Sequence, residues 1–382
     1  MSKTLFVTND FGPRAGGIET FIIGLIERLP KDTVVVYTSK QQGSQEFDEA
    51  WLRNYGVVVI RDRTKILLPT PMVARKVSKV ARDFHATRAC FGAAAPLGLL
   101  APALRRAGVK KIIALTHGHE VWWAKVFPFS MAIRKIGSDI DNLTYLGEFT
   151  RSAISRSLTQ KARDSMVRIA PGIDVGHFTP LPEGSPPEVL RRELGLHDKK
   201  LVVSVGRLVH RKGQDRLIES LALVRKEIPN AHLMLVGEGP YRKTLEKIAK
   251  DLDVFDAVTF IGRVQYEQLP EYFRCGDLFA MPSRSRFRGL EVEGLGIVYL
   301  EASACGLPVI AGKSGGAPDA VIDGVTGTVV DGTDCKQVAQ AIITILNDSD
   351  LSHTMGSAGR AWIVDQWSWE SWSRKFQQLL EN

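Results

Sequence analysis

A short apolar run that stops at a glycine loop and passes into an amphipathic helix occurs at the start of the chain and again past its middle. No other pattern in the sequence constrains the fold as much. Residues 4–8 (Thr-Leu-Phe-Val-Thr) have strand character, 9–17 form a loop rich in Gly and Pro, 18–29 keep a helical period, and 34–37 make the next strand. That is a βαβ unit, the building block of a parallel sheet. The second copy runs from 201–205 (Leu-Val-Val-Ser-Val) through Gly206-Arg207 and Lys212-Gly213 into a helix over 214–227 and a strand over 233–236. Apolar runs at 111–115, 143–146, 258–261 and 327–330 supply further strands, and a helix is expected over 148–158. A chain of 382 residues exceeds one hydrophobic core. The Pro/Gly-rich stretch 169–180 is the natural linker between two domains, and 182–187 reads as loop.

The formal net charge is +8 and the pI about 9.3, a basic excess that suits an anionic partner without choosing among nucleotide, nucleic acid and membrane. Cys90, Cys275, Cys305 and Cys335 are far apart and form no C-x-x-C pair, so neither a zinc site nor a disulfide framework is indicated and a reducing, cytoplasmic setting is expected. The N-terminus has no charged-then-apolar leader pattern. The most apolar window, 89–104, is broken by Pro96 and Pro102 and is too short for a bilayer span. Residues 61–88 carry eight basic side chains (Arg61, Arg63, Lys65, Arg75, Lys76, Lys79, Arg82, Arg88) against Asp62 and Asp83. Within them, Val73, Val77, Val80 and Phe84 keep helical spacing, so the segment reads either as a surface helix on the sheet or as a basic amphipathic helix lying on anionic lipid.

The chemistry concentrates between Arg284 and Gly316. Glu293 and Glu301 bracket Gly294-Leu295-Gly296 and the apolar Ile297-Val298-Tyr299-Leu300. A glycine turn opening a helix aims unpaired amides at an anion, and flanking carboxylates accept from hydroxyls, as a sugar-phosphate-nucleoside ligand would require. Solvated surface acids are the plainer reading, but an acid inside an apolar helix needs a reason. Arg207 and Lys212, with Arg211 as the alternative, place cations at the carboxyl edge of the second sheet, suited to a diphosphate. The Gly16-Gly17 pair is either a bare turn or a close approach for phosphate or sugar. Neither it nor Gly237-Glu238-Gly239 with Arg242 fits G-x-G-x-x-G, which argues against a dinucleotide oxidoreductase. The strand over 111–115 delivers Thr116-His117-Gly118-His119 to its carboxyl end, where ligands of open α/β sheets bind. Two His at that spacing without a further cluster make a poor metal site.

E-x7-E followed by Glu301-Ala302, Ala304-Cys305-Gly306, Pro308-Val309-Ile310-Ala311 and Gly315-Gly316 resembles the signature of the large retaining glycosyltransferase family with the GT-B architecture. The wording RFRGLEVEGLGIVYLEA is similar to the bacterial mannosyltransferases that elaborate phosphatidylinositol mannosides, at the step adding the second mannose in α-1,6 linkage. The resemblance implies an α/β fold of two doubly wound Rossmann-like domains facing across a cleft. It places an acceptor domain at 1–172, completed by a last helix over 368–382, and a nucleotide-sugar domain at 173–367. It puts Arg207 and Lys212 on the diphosphate, and Glu293 with the amides of Leu295, Gly296, Ile297 and Val298 on sugar hydroxyls and phosphate. It puts Glu301 on the ribose, Arg263 and Val264 in the loop holding the base through backbone groups, Gly16 and Gly17 facing the diphosphate, and His117 (or His119) beside the transferred sugar. The implied donor is GDP-mannose, the acceptor a phosphatidylinositol mannoside, and the setting the inner face of the plasma membrane, with segment 61–88 on anionic lipid and no nucleic acid partner. No cofactor is required, although Mg²⁺ can accompany the diphosphate. No covalent nucleophile stands out, so front-face attack and double displacement both stay open. Other readings on the same fold are a transferase using another nucleotide sugar and a soluble acceptor, a sugar-nucleotide epimerase or hydrolase, and a non-catalytic binding protein.

Overall fold

The computed structural model describes residues 3–14, 16–181 and 188–382, and the chain divides into two compact units, Met1–Gly172 with Trp369–Asn382, and Ile173–Ser368. The loop expected over 182–187 lies outside the described residues. In the first unit, parallel strands β1 (Lys3–Thr8), β2 (Val34–Thr38), β3 (Val58–Arg61), β4 (Ala86–Phe91), β5 (Lys111–Ala114), β6 (Asn142–Tyr145) and β7 (Val167–Arg168) run in the order β3-β2-β1-β4-β5-β6-β7. In the second, β8 (Lys200–Val205), β9 (Ala231–Val236), β10 (Val258–Gly262), β11 (Leu278–Met281), β12 (Val309–Gly312) and β13 (Gly327–Val330) are parallel in the order β10-β9-β8-β11-β12-β13. Both sheets are doubly wound. The order reverses between β1 and β4 in one and between β8 and β11 in the other, and at such a switch point the loops diverge and leave a crevice at the strand carboxyl ends.

The central strands are buried on both faces and therefore read as near-continuous apolar runs. Strands β3, β4 and β7 had no such signal. The first is a half-buried edge, the second carries Thr87 and Arg88, and the last has two residues. Helices end earlier than their period suggests, at Ile26, Ser155 and Val224. The last helix spans Trp369–Glu381, because Trp367 caps the preceding helix Ser349–Gln366. It packs against helix Gly17–Ile26 of the first unit. Trp369 covers Gly24, where a Cβ would come within 2.3 Å of the ring, Arg28 stacks over it at 4.8 Å, and Phe376 meets Phe6 at 6.1 Å.

Segment 61–88 needs correcting. Val73, Val77 and Val80 of helix Pro71–Asp83 are packed into the first unit's core, so the apolar stripe that could have faced lipid faces the sheet. Arg61 is held by Asp48 at 2.7 Å and donates to Gly12 O, Arg88 lies within β4, and Lys76 pairs with buried Asp62 at 2.8 Å. What remains on the surface is Arg63, Lys65, Arg75, Lys79 and Arg82, with Ile66, Leu68 and Met72 exposed beside them.

Candidate active site

The second unit's switch point is built from the loops after β8 and β11. After β8, Gly206 (φ 149°) turns the chain, and Arg207 stands exposed with no ion pair among the described residues. A single turn, His210–Lys212, then leads to Gly213 (φ 77°) and the helix Gln214–Val224. A Cβ on Gly213 would sit 2.1 Å from Pro282 O, so only glycine lets this turn close against the loop after β11. The closure brings Lys212 Nζ within 2.7 Å and an Arg211 guanidinium nitrogen within 3.1 Å of the same oxygen, Glu293 Oε2. Arg211 also faces Glu291 at 3.7 Å. Lys212 and Glu293 are both 8% exposed. Burial by itself would raise the Glu293 pKa, but the charges and hydrogen bonds of Lys212 and Arg211 outweigh it and hold the carboxyl below its ordinary value.

The backbone of Glu293 is fixed as firmly as its side chain. Its N–H donates to Ser314 Oγ at 3.3 Å, and its carbonyl accepts from Gly316 N–H at 2.8 Å. Cβ atoms on Gly315 and Gly316 would fall 2.2 Å from Glu293 O and Gly294 O, which is the physical reason for a Gly-Gly pair there. Gly296 (φ 79°) then opens helix Ile297–Ala304. Its Cβ position is taken by the Tyr299 ring at 2.4 Å, and Tyr299 Oη donates to Met281 O at 2.7 Å, tying the helix to β11. Leu295 and Gly296 are buried and Ile297 and Val298 half-buried; Tyr299 N–H donates to Gly296 O at 3.0 Å, which leaves the amides of Ile297 and Val298 as the unpaired donors of the first turn.

Glu301, 6% exposed in that helix, makes no ion pair among the described residues, and burial pushes its carboxyl up to about 8. In the ligand-free fold it therefore keeps its proton at neutral pH, whereas in the unfolded chain it does not. Stability from this group is complete below its ordinary value near 4.5 and is lost as pH rises to about 8. We expect the denaturation midpoint of the ligand-free protein to fall across that window and Glu301→Gln to flatten the fall. Identical pH profiles for the two proteins would refute the assignment.

A buried network behind the turn was not singled out in the sequence. The Arg284 guanidinium pairs with Asp215 at 2.6 Å and reaches His210 Nε2 at 2.8 Å, while Arg284 N–H donates to Arg211 O at 2.8 Å and Tyr241 Oη to Asp215 at 3.3 Å. Burial first, then Arg284, lowers the His210 pKa and keeps the ring neutral. The available signal was Asp215 three residues before Ile218, an acid on the buried stripe of its helix.

Arg263 follows β10, with Gly262 (φ 87°) accepting from Gly237 N–H at 2.8 Å. It is exposed, Val264 is half-buried, and both lie at the same sheet edge as Arg207.

In the first unit, β5 delivers His117 to the loop above it. His117 Nε2 lies against Gly92 O, a pure acceptor, so Nε2 carries the proton and Nδ1 is left as an acceptor. Burial lowers the ring's pKa, outweighing the nearby Glu120 charge, and His117 is neutral. The backbone N–H of His117 donates to Glu120 Oε2 at 3.0 Å, and Glu120, wholly buried, also holds His119 Nε2 at 3.2 Å. Nothing in the sequence pattern marks Glu120. His119 Nε2 is 3.3 Å from Ala95 O, so the two imidazoles address separate carbonyls rather than a shared metal position. Trp122 and Trp123 pack with Phe129, at 4.7 and 4.9 Å. At the glycine loop, Gly17 is open, but a Cβ on Gly16 would meet Glu19 Oε2 at 2.4 Å. Glu19 pairs with Arg14 at 2.6 Å beside Asp10, whose pKa is raised by burial and then by Glu19. That loop therefore presents carboxylates as well as glycine.

Residues 188–362 match the family described as glycosyl transferases group 1. Over 377 residues the chain is 44% identical to a GDP-mannose-dependent alpha-(1-6)-phosphatidylinositol monomannoside mannosyltransferase of Mycolicibacterium smegmatis, covering 98% of this chain and 97% of that protein. The monoacylated-substrate counterpart of Corynebacterium glutamicum is 40% identical over 382 residues, covering 100% and 98%. Among solved structures, Anabaena Alr3699/HepE in complex with UDP superposes with a TM-score of 0.83 at 21% identity, covering 99% of each chain.

Proposed function

Because this chain belongs to the glycosyl transferases group 1 family and aligns end to end with phosphatidylinositol monomannoside mannosyltransferases, we propose that it moves mannose from GDP-mannose to phosphatidylinositol monomannoside, with retention, forming an α-1,6 bond. The observation that carries this reading is the convergence of Lys212 and Arg211 on one oxygen of buried Glu293 at a topological switch point, in the loop that also carries Arg207, which has no ion pair among the described residues.

Departure of GDP builds negative charge on the β-phosphate. Arg207 and Lys212 stabilise that charge, and preorganised cations in a desolvated site act most strongly where charge develops. Glu293 holds the Lys212 ammonium at 2.7 Å in a single place until the diphosphate arrives, then accepts from mannose hydroxyls while the amides of Leu295 to Val298 meet sugar and phosphate. Glu301 accepts from the ribose hydroxyls, and the loop at Arg263 and Val264 lines the base. The neutral His117 offers Nδ1 to a hydroxyl of the transferred sugar. The carboxylates at Gly16-Gly17 suit hydroxyls better than phosphate, which favours the first unit as the acceptor side. Two cations, Lys212 and Arg211, meet one carboxylate, and Arg207 follows the same strand β8, so this loop brings positive charge to the diphosphate. The first unit rests on an anionic membrane through Arg63, Lys65, Arg75, Lys79 and Arg82 with Ile66, Leu68 and Met72, and no helix among the described residues is long and apolar enough to cross it.

The test offers labelled GDP-mannose or UDP-glucose with phosphatidylinositol, its monomannoside or no acceptor, with and without EDTA, and extracts the lipid. Label is expected in lipid from GDP-mannose with the monomannoside alone, unchanged by EDTA. Sugar released without acceptor, or transfer from UDP-glucose, would refute the assignment.

A further inference from the structure

Helices Pro71–Asp83 and Ala101–Arg106 lie side by side in the first unit and enclose a groove of about 560 Å³. Arg75 and Arg82 line it from one helix and Arg106 from the other, with Ser78 between them and Ala74 and Leu99 on the apolar wall. No acid lines the groove. None of the three guanidiniums makes an ion pair among the described residues, and Arg106 Nε donates to its own helix at Pro102 O, 3.2 Å away. Uncompensated cations in a concave, partly apolar site concentrate positive potential, and guanidinium forks match phosphate oxygens.

Two further features select the occupant. At one end, the groove opens beside the loop carrying exposed Ile66 and Leu68. The residue between them, Leu67, is clamped by Asn9, whose Oδ1 accepts from Leu67 N–H at 2.7 Å and whose Nδ2 donates to Leu67 O at 3.1 Å. Apolar side chains held outward at the mouth of a cationic groove fit a lipid better than a free phosphate. At the other end, Arg82 and Arg106 stand in the last turns of their helices, and at about 1.5 Å per residue Arg82 is roughly 16 Å from the helix start near the strand carboxyl edge. His117 follows β5 at the strand carboxyl edge, so a headgroup held by Arg82 and Arg106 lies toward the opposite edge of the sheet from it.

We propose that this groove seats the phosphate headgroup of one anionic phospholipid of the membrane, a bystander distinct from the acceptor, so that lipid composition governs how firmly the first unit holds the surface. The inference rests on the membrane setting proposed above and not on the transfer reaction.

The experiment titrates the full chain with short-chain, monomeric phosphatidylglycerol by calorimetry, using inorganic phosphate and short-chain phosphatidylcholine as parallel probes. One phosphatidylglycerol per chain is expected. Arg82→Gln with Arg106→Gln should weaken it at least about tenfold, since charge-assisted hydrogen bonds are lost. Lys65→Gln with Lys79→Gln, an equal charge change outside the groove, should weaken it less than about twofold in physiological salt. Equal losses in both pairs, or binding of phosphate or phosphatidylcholine as tight as phosphatidylglycerol, would overturn the proposal. Transfer from GDP-mannose to detergent-dispersed monomannoside is measured on the same proteins. Its absence in the unaltered chain would remove the proposed activity and leave the lipid seat standing. A loss in the groove variant matching its loss of lipid binding would make the groove part of the acceptor site and overturn the bystander assignment.

Discussion

Replacing Lys212 by methionine is expected to lower kcat for mannose transfer about a hundred- to a thousandfold, the usual cost of removing one preorganised donor from developing charge. Methionine keeps the length and apolar stem of lysine, so the buried position 212 in the turn His210–Lys212 retains its packing while the ammonium 2.7 Å from Glu293 is lost. Arg211 then remains as the partner of Glu293 at 3.1 Å, and with one of its two opposing charges gone the Glu293 pKa rises from its depressed value. The variant should accordingly lose its residual activity at a higher pH than the parent on acidification. Steady-state kinetics over varied GDP-mannose read both effects. A kcat within about threefold of the parent would remove Lys212 from the chemistry.

Replacing Arg284 by methionine is expected to destabilise the second unit by about 3–5 kcal/mol, because Asp215 is left as an uncompensated buried charge. The change also removes the Arg284 contact with His210 and loosens the turn that presents Arg211 and Lys212. Weaker GDP binding should therefore accompany the lower denaturation midpoint. Asp215→Leu combined with Arg284→Met should recover part of the loss, since removing both charges leaves none unpaired. Denaturant titration of the single and double variants decides the matter, and a single-variant cost below about 1 kcal/mol would show that the pair is not the support described.

The parallel sheets were legible because strands such as β1, β2, β8 and β9 are buried on both faces and each carries an unbroken run of three or more apolar residues. Strand β4 was not, since Arg88 and Thr87 interrupt an apolar run that continues past the strand into residues 92–104. Periodicity found helix Pro71–Asp83 but could not say what its apolar stripe met, because a stripe packs equally well on a sheet or on lipid. Arg207, Lys212, Glu293, Glu301 and His117 stand out as candidates in the sequence, whereas the partners of Lys212, Glu293 and His117 do not. The Lys212–Glu293 pair joins loops from different βαβ units, and that pairing depends on Gly213 closing against Pro282 O. Glu120 beneath His117 and Asp215 beneath Arg284 were hidden for a related reason. A charged residue at an apolar position identifies itself only through the partner that compensates it.

The most direct measurement is the anomeric configuration of the mannose that this protein adds to phosphatidylinositol monomannoside from GDP-mannose, read by nuclear magnetic resonance on the purified lipid. The proposed donor activation by Arg207 and Lys212, with retention at the anomeric carbon, requires an α-linked mannose on the lipid and free GDP in equal amount. A β-linked product, or mannose recovered in water with the acceptor unchanged, would contradict it.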